Sequence, residues 1–195
     1  MIRTLGLGVA CAVALLAAAP GGARADDQSA LLSDLHRFSQ LRSFRMHVVE
    51  VTPLGRSVKD IIYVAPDKVR VALGDTGLVV VVIGNNVWLR GVDGKWIKAK
   101  RSSQDLLAAV RDTTAFADDL SDKSVRLLGS PHLDGVPTRL YQIDVLRKAG
   151  YSVKTTRVWV GTADGYAHRI EERNGPYLAT TTYSDYNAPL SVSAQ

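Results

Sequence analysis

Leu31, Leu32, Leu35, Phe38 and Leu41 recur three and four residues apart behind Ser29, with Asp34, Arg37 and Gln40 on the other side. This spacing predicts a short amphipathic helix. From Phe44 the period shortens to two and the residues become β-branched. Strands are predicted at 44–52, 58–64, 69–73, 78–83, 87–91 and 95–98. Turns are predicted at Pro53-Leu54-Gly55, Pro66-Asp67, Asp75-Thr76-Gly77, Asn85-Asn86 and Asp93-Gly94. Together they make a meander of hairpins.

Ser102 or Ser103 can cap a second helix carrying Leu106, Leu107 and Val110, which runs into the polar stretch 112–123. Strands are predicted again at 125–128, 139–146, 152–161, 166–172 and 178–186, and a short polar tail follows Pro189. No βαβ crossover is visible, so the chain reads as α+β and mainly antiparallel. The segment 78–83 is apolar on both strand faces and predicts cover on both sides, by helix on one and by core or ligand on the other. An ordinary central strand of a sandwich is the competing reading.

Composition changes this picture at the N-terminus. Arg3, an apolar run from Leu5 to Ala19, then Pro20-Gly21-Gly22 and Ala23-Arg24-Ala25 have the layout of a secretory leader. They predict cleavage after Ala25. The organisation is therefore a signal peptide over 1–25 and a single domain over 26–195. The one cysteine, Cys11, lies inside the leader, which excludes disulfides, thiolate metal sites and cysteine nucleophiles from the exported chain. Export without cysteines suits a bacterial periplasm. The formal charge of +5 falls when Arg3 and Arg24 leave with the leader. No Lys/Arg block exceeds the one ending at Arg101, far short of the dense stripe that nucleic acid needs.

Candidate chemistry is sparse. His47 and Glu50 are three apart, as are His168 and Glu171, but on strands such pairs point to opposite faces. His36 stands alone on the first helix. His132 and Asp134 share a Pro-Gly loop and could approach each other without making a site. Asp118, Asp119 and Asp122 lack calcium-loop spacing. No serine sits in a G-x-S-x-G elbow and no phosphate-cradling glycine loop is present. Three tryptophans and seven tyrosines either pack the core or line an apolar pocket. The reading is not an enzyme, with no metal and no cofactor.

The order of these pieces carries more than any one of them. A helix, then "LRSFRMHVVEV", "IIYVAPDKVRVAL" and "VVVIGNNVWLRGVDGKWIKA", then "GVPTRLYQIDV", "RVWVGTADGYAHRIE" and "TTTYSDYNAPLSV" resembles the periplasmic LolA-like lipoprotein-carrier superfamily, including its LppX and LprG relatives. The resemblance spans about residues 30 to 192. It implies an unclosed antiparallel half-barrel whose concave apolar face is covered by helices, making a cavity that accepts acyl chains of lipoproteins or lipids. Pro66 matches the family's turn proline, and Trp88 the aromatic of the next hairpin. The lipoprotein-delivering carrier has an arginine just before that proline, used to hold the helical lid. Ala65 stands there in this chain; Arg70 reads either as the arginine's substitute or as an exposed basic strand residue, and apolar contact alone can also hold a lid.

The expectation is a periplasmic binding or carrier protein for lipids or acylated molecules, with the envelope membrane or a lipoprotein as partners. The expected lining is Leu35, Phe38, Leu106, Leu107 and Val110 from helices, and Val48, Ile62, Val71, Val80, Val82, Leu89 and Trp159 from strands. The alternative is an envelope interaction or sensor module that uses the same half-barrel without carrying lipid. An envelope hydrolase would need His132 and Asp134 to act.

Overall fold

The protein is seen here in a computed structural model, which describes residues 23–100, 103, 104, 107, 110, 120, 123–145 and 154–194. Helix α1 (Ala23–Ser39) precedes twelve strands: β1 (Ser43–Thr52), β2 (Gly55–Val64), β3 (Lys68–Leu73), β4 (Val79–Ile83), β5 (Asn86–Arg90), β6 (Trp96–Ala99), β7 (Lys123–Gly129), β8 (His132–Leu133), β9 (Val136–Val145), β10 (Lys154–Gly161), β11 (Ala167–Asn174) and β12 (Tyr177–Ser184). The strands form one antiparallel sheet in the order β6-β5-β4-β3-β2-β1-β12-β11-β10-β9-β7, with β8 paired to β9. Neighbours in space are mostly neighbours in sequence. The exceptions are β7 against β9 and β1 against β12, which joins the first and last strands through Met46 opposite Tyr183 and Val48 opposite Thr181.

Strand registers decide which side chains share a face. Phe44, Met46 and Val48 stand opposite Tyr63, Ile61 and Lys59, Ile61 and Tyr63 opposite Val71 and Val69, and these opposite Val80 and Val82. In the other direction the same face runs through Tyr183 to Ile170, Val158, Tyr141 and Val125. Leu31, Leu35 and Phe38 of α1 join these residues in one buried cluster, so this is the inner face. Helix α1 starts earlier than its predicted cap at Ser29, and Leu32 of the expected apolar stripe is 40% exposed. One helix is described end to end, so the expectation of helices covering the face overstates the architecture. Of the second predicted helix only Gln104, Leu107 and Val110 are described, and Leu107 and Val110 are buried in the inner cluster.

Strand β4 is covered on both sides, as its continuous valines require, and the outer cover is a core. Val79 and Val81 point away from α1 and meet Val192 and Ala194 of the C-terminal segment, with Ile62, Val64, Ala72, Trp88 and Trp96 around them. The tail that reads as polar thus closes a second, smaller core. Burying a valine side chain contributes about 1.5–3 kcal/mol. Val192→Ser is therefore expected to lower the urea midpoint by an amount equivalent to about 1–2 kcal/mol, against no change for the exposed Ser193→Ala.

Candidate functional site

The inner face has a closed end and an open end. At the closed end the β2–β3 turn, the β4–β5 turn and the segment after β12 are tied together. Ala65 N donates to Arg42 O at 2.7 Å, Gly84 N to Asp67 O at 3.2 Å, and Asn187 N to Ser43 O at 2.8 Å. Arg42 N donates to Asn187 Oδ1 at 2.9 Å. The Ala65–Pro66 bond is cis, and Val64 pairs with Lys68 across the turn. Beneath these ties Phe38 stands edge-on to Tyr183, ring centroids 5.0 Å apart, and 5.9 Å from Phe44, which contacts Tyr63 at 5.0 Å. Edge-to-face aromatic contact adds to plain burial, so the C-terminal turn of α1 is held on β1 and β12.

The rest of α1 is held by polar contacts to the other half of the sheet. Asp27 Oδ2 accepts from Leu127 N at 2.9 Å. Arg139 Nη2 donates to Asp34 Oδ1 at 2.6 Å. Burial pushes the Asp34 carboxyl above its ordinary value, against the downward pull of Arg139 and Tyr141. Arg139 on β9 therefore ties the helix to the sheet. Arg70 does not substitute. It stands opposite Val81 on the outer face, where it lines a surface hollow of about 350 Å³ with Arg45, His47 and Asp60.

Toward the opposite end the inner face stays apolar and becomes less covered. Val69, Val82 and Val87 are fully buried, their strand neighbours Val71, Val80 and Leu89 are half-buried, and Ile97, opposite Leu89, is 61% exposed. Of the expected lining residues, Leu35, Phe38, Val48, Val71, Val80, Val82, Leu89, Leu107 and Val110 lie on this side of the sheet, and Leu106 falls outside the described residues. Two are corrected. Ile62 stands opposite Arg45 and Arg70 and packs in the outer core. Trp159 stands opposite Arg169, whose guanidinium lies 6.0 Å from its ring, also on the outer face. Both belong to strands with bulky apolar residues at successive positions, where alternation gives no sign of the inward side.

Polar residues border the open end. Glu50 accepts from Lys59 Nζ at 2.7 Å and from Ser57 Oγ at 3.0 Å, and Lys154 pairs with Glu172 at 2.9 Å. The hydrogen bond from Lys59 holds the Glu50 carboxyl below its ordinary value of 4.5, burial opposing and Ser57 and Tyr177 assisting. A depressed carboxylate stabilises the fold fully above its unfolded value and loses that contribution as pH falls through the folded one. Glu50→Gln is therefore expected to be less stable than the parent chain at neutral pH and to lose less on acidification below about pH 4.5. Urea titrations at several pH values measure the difference in slope.

The histidines do not converge. His47 meets Asp60 at 2.7 Å and His168 meets Asp164 at 3.0 Å, while Asp134 turns to Arg169 at 3.5 Å. Asp118, Asp119 and Asp122 lie outside the described residues. Among the described residues no three His, Cys, Asp or Glu side chains gather around a metal position.

No family model and no curated protein sequence matches the chain, but solved structures do. LppX, a lipoprotein of Mycobacterium tuberculosis, superposes with a TM-score of 0.62 at 17% identity, over 87% of this chain and 99% of its own. The chain shares the fold of LppX. LprF from Mycobacterium bovis gives 0.62 at 13% identity, over 88% and 98%. MucB of Pseudomonas aeruginosa, in its complex with MucA, gives 0.54 at 18% identity, over 85% of this chain and 59% of the matched one. The same fold therefore occurs in this chain, in a lipoprotein and in a protein solved in complex with another protein.

Proposed function

We propose that the protein is an exported, non-enzymatic carrier that shields an acyl chain of a lipid or acylated molecule on the inner face of its half-barrel, within a periplasm reached through a leader over residues 1–25. The observation that carries this reading is the inner apolar strip. Val71, Val80 and Leu89 lie side by side across β3, β4 and β5 and stay half-covered, while the same face is fully buried one step toward the closed end. A carrier of this kind needs no reacting group. Each methylene moved from water onto such a strip contributes about 0.8 kcal/mol, and the polar border of Glu50, Lys59 and Lys154 keeps a head group in water. Mass spectrometry of the protein purified without detergent from the envelope is expected to recover acyl lipids in near-stoichiometric amount. An empty protein that also fails to take up a fluorescent fatty acid would contradict the reading.

The likeness to MucB, solved in complex with MucA, supports a second reading, an envelope interaction or sensor module. It predicts that a specific envelope protein co-purifies while lipid occupancy stays low.

A further inference from the structure

The turns at Leu54, at 74–77, at Val92 and at Gly175 all lie at the open end of the sheet, because each joins antiparallel strands at the same level. Two of these tips are apolar and bare: Leu54 is fully exposed and Val92 is 88% exposed. Leu54 is followed by the exposed Arg56. Val92 sits at the tip of the β5–β6 edge hairpin, where Arg90 and Lys95 flank it, and exposed Lys98 and Lys100 follow along β6 away from the tip, Lys98 opposite Trp88 and Lys100 next after Ala99. Asp93 is the sole acid between 90 and 100, and its Oδ1 accepts from Lys95 N at 3.2 Å. Asp75 in the neighbouring turn is the other acid at this end of the β3–β6 half. Trp96 is anchored, with Arg90 5.6 Å above its ring and the outer core against it. Ile97, on the edge strand, is 61% exposed.

We propose that the β5–β6 edge hairpin, entering by its Val92 tip with the Leu54 tip farther along the same end of the sheet, docks on an anionic phospholipid bilayer. Charge selects the partner. Four cations with one intervening acid attract a negative surface, and each Lys or Arg near such a surface adds to binding within about a Debye length. Bare aliphatic tips flanked by cations and a tryptophan match the apolar-to-polar boundary of the head-group layer. A neutral protein surface offers no such complement to this set. Docking would bring the open end of the inner strip against the source of its ligand, yet the inference rests on the exposed tips and the hairpin's charges and stands whether or not the strip carries lipid.

Flotation with vesicles of phosphatidylcholine containing about 30% phosphatidylglycerol tests it, alongside pure phosphatidylcholine vesicles. The parent chain is expected to float at least about tenfold more with the anionic vesicles, and the excess should fall with salt. Val92→Asp, Leu54→Asp and the pair Lys95→Glu with Lys98→Glu should each lower it roughly tenfold. All four residues are exposed, so folding is preserved, and uptake of a soluble fluorescent fatty acid should match the parent chain. Equal flotation with both vesicle types, or variants that float as the parent does, would overturn the proposal. So would a dimer in sedimentation that Val92→Asp dissolves without any vesicle binding, since it would assign the hairpin to a second copy.

Discussion

Val80→Trp is expected to weaken binding of a long-chain fatty acid by about 100-fold. Val80 lies mid-strip, opposite Val71 on one side and Leu89 on the other, and it is half-covered where the closed end is already full. An indole there occupies space for about four methylenes, and at about 0.8 kcal/mol each their loss amounts to about 3 kcal/mol. Trp159→Phe, on the outer face, should leave the affinity unchanged. Fluorescence titration with a labelled fatty acid measures both. An unchanged affinity for Val80→Trp would place the acyl chain elsewhere.

Phe38→Ala should lower the unfolding free energy by about 3–5 kcal/mol, the range for removing a buried aromatic side chain. Phe38 is 1% exposed and touches Phe44, Tyr183 and Tyr186, so the void has rigid walls and collapses poorly. Phe38→Leu keeps most of the volume and should lose less than half as much. Urea unfolding checks the pair. A loss below about 1 kcal/mol for the alanine variant would show that the aromatic end of α1 does not hold the helix.

Much of the meander was legible because one face of a strand must be apolar and the other need not be. Phe44, Met46 and Val48 alternate with Arg45 and His47, and the turn residues mark the hairpins to within a few positions. Leader and domain limits are matters of sequence alone. The inward sides of β2 and β10 were not legible. Ile61 and Ile62 are both bulky, as are Val158 and Trp159, and the register that separates them depends on partners far along the chain. Nor did the sequence disclose the outer core, because Val192 lies in a segment of serines and alanines whose burial depends on Val79 and Val81 lying beneath it. The helix anchor was missed for a related reason. Arg139 is inward on β9, where a cation reads as a surface residue until Asp34 is placed over it. The available signal was Arg139, Tyr141 and Ile143 at period two, an arginine in series with core residues. The pairing of β8 with β9 was missed as well, since two residues carry no periodicity.

The central claim is that acyl chains lie on the inner face. Photo-crosslinking with a palmitate that carries a diazirine along its chain, followed by peptide mapping, tests it most directly. Label is expected on Val71, Val80, Leu89 and their strand neighbours, and to be absent from Ile62 and Trp159. Label on the outer face, or none above that of an unfolded control, would contradict the account.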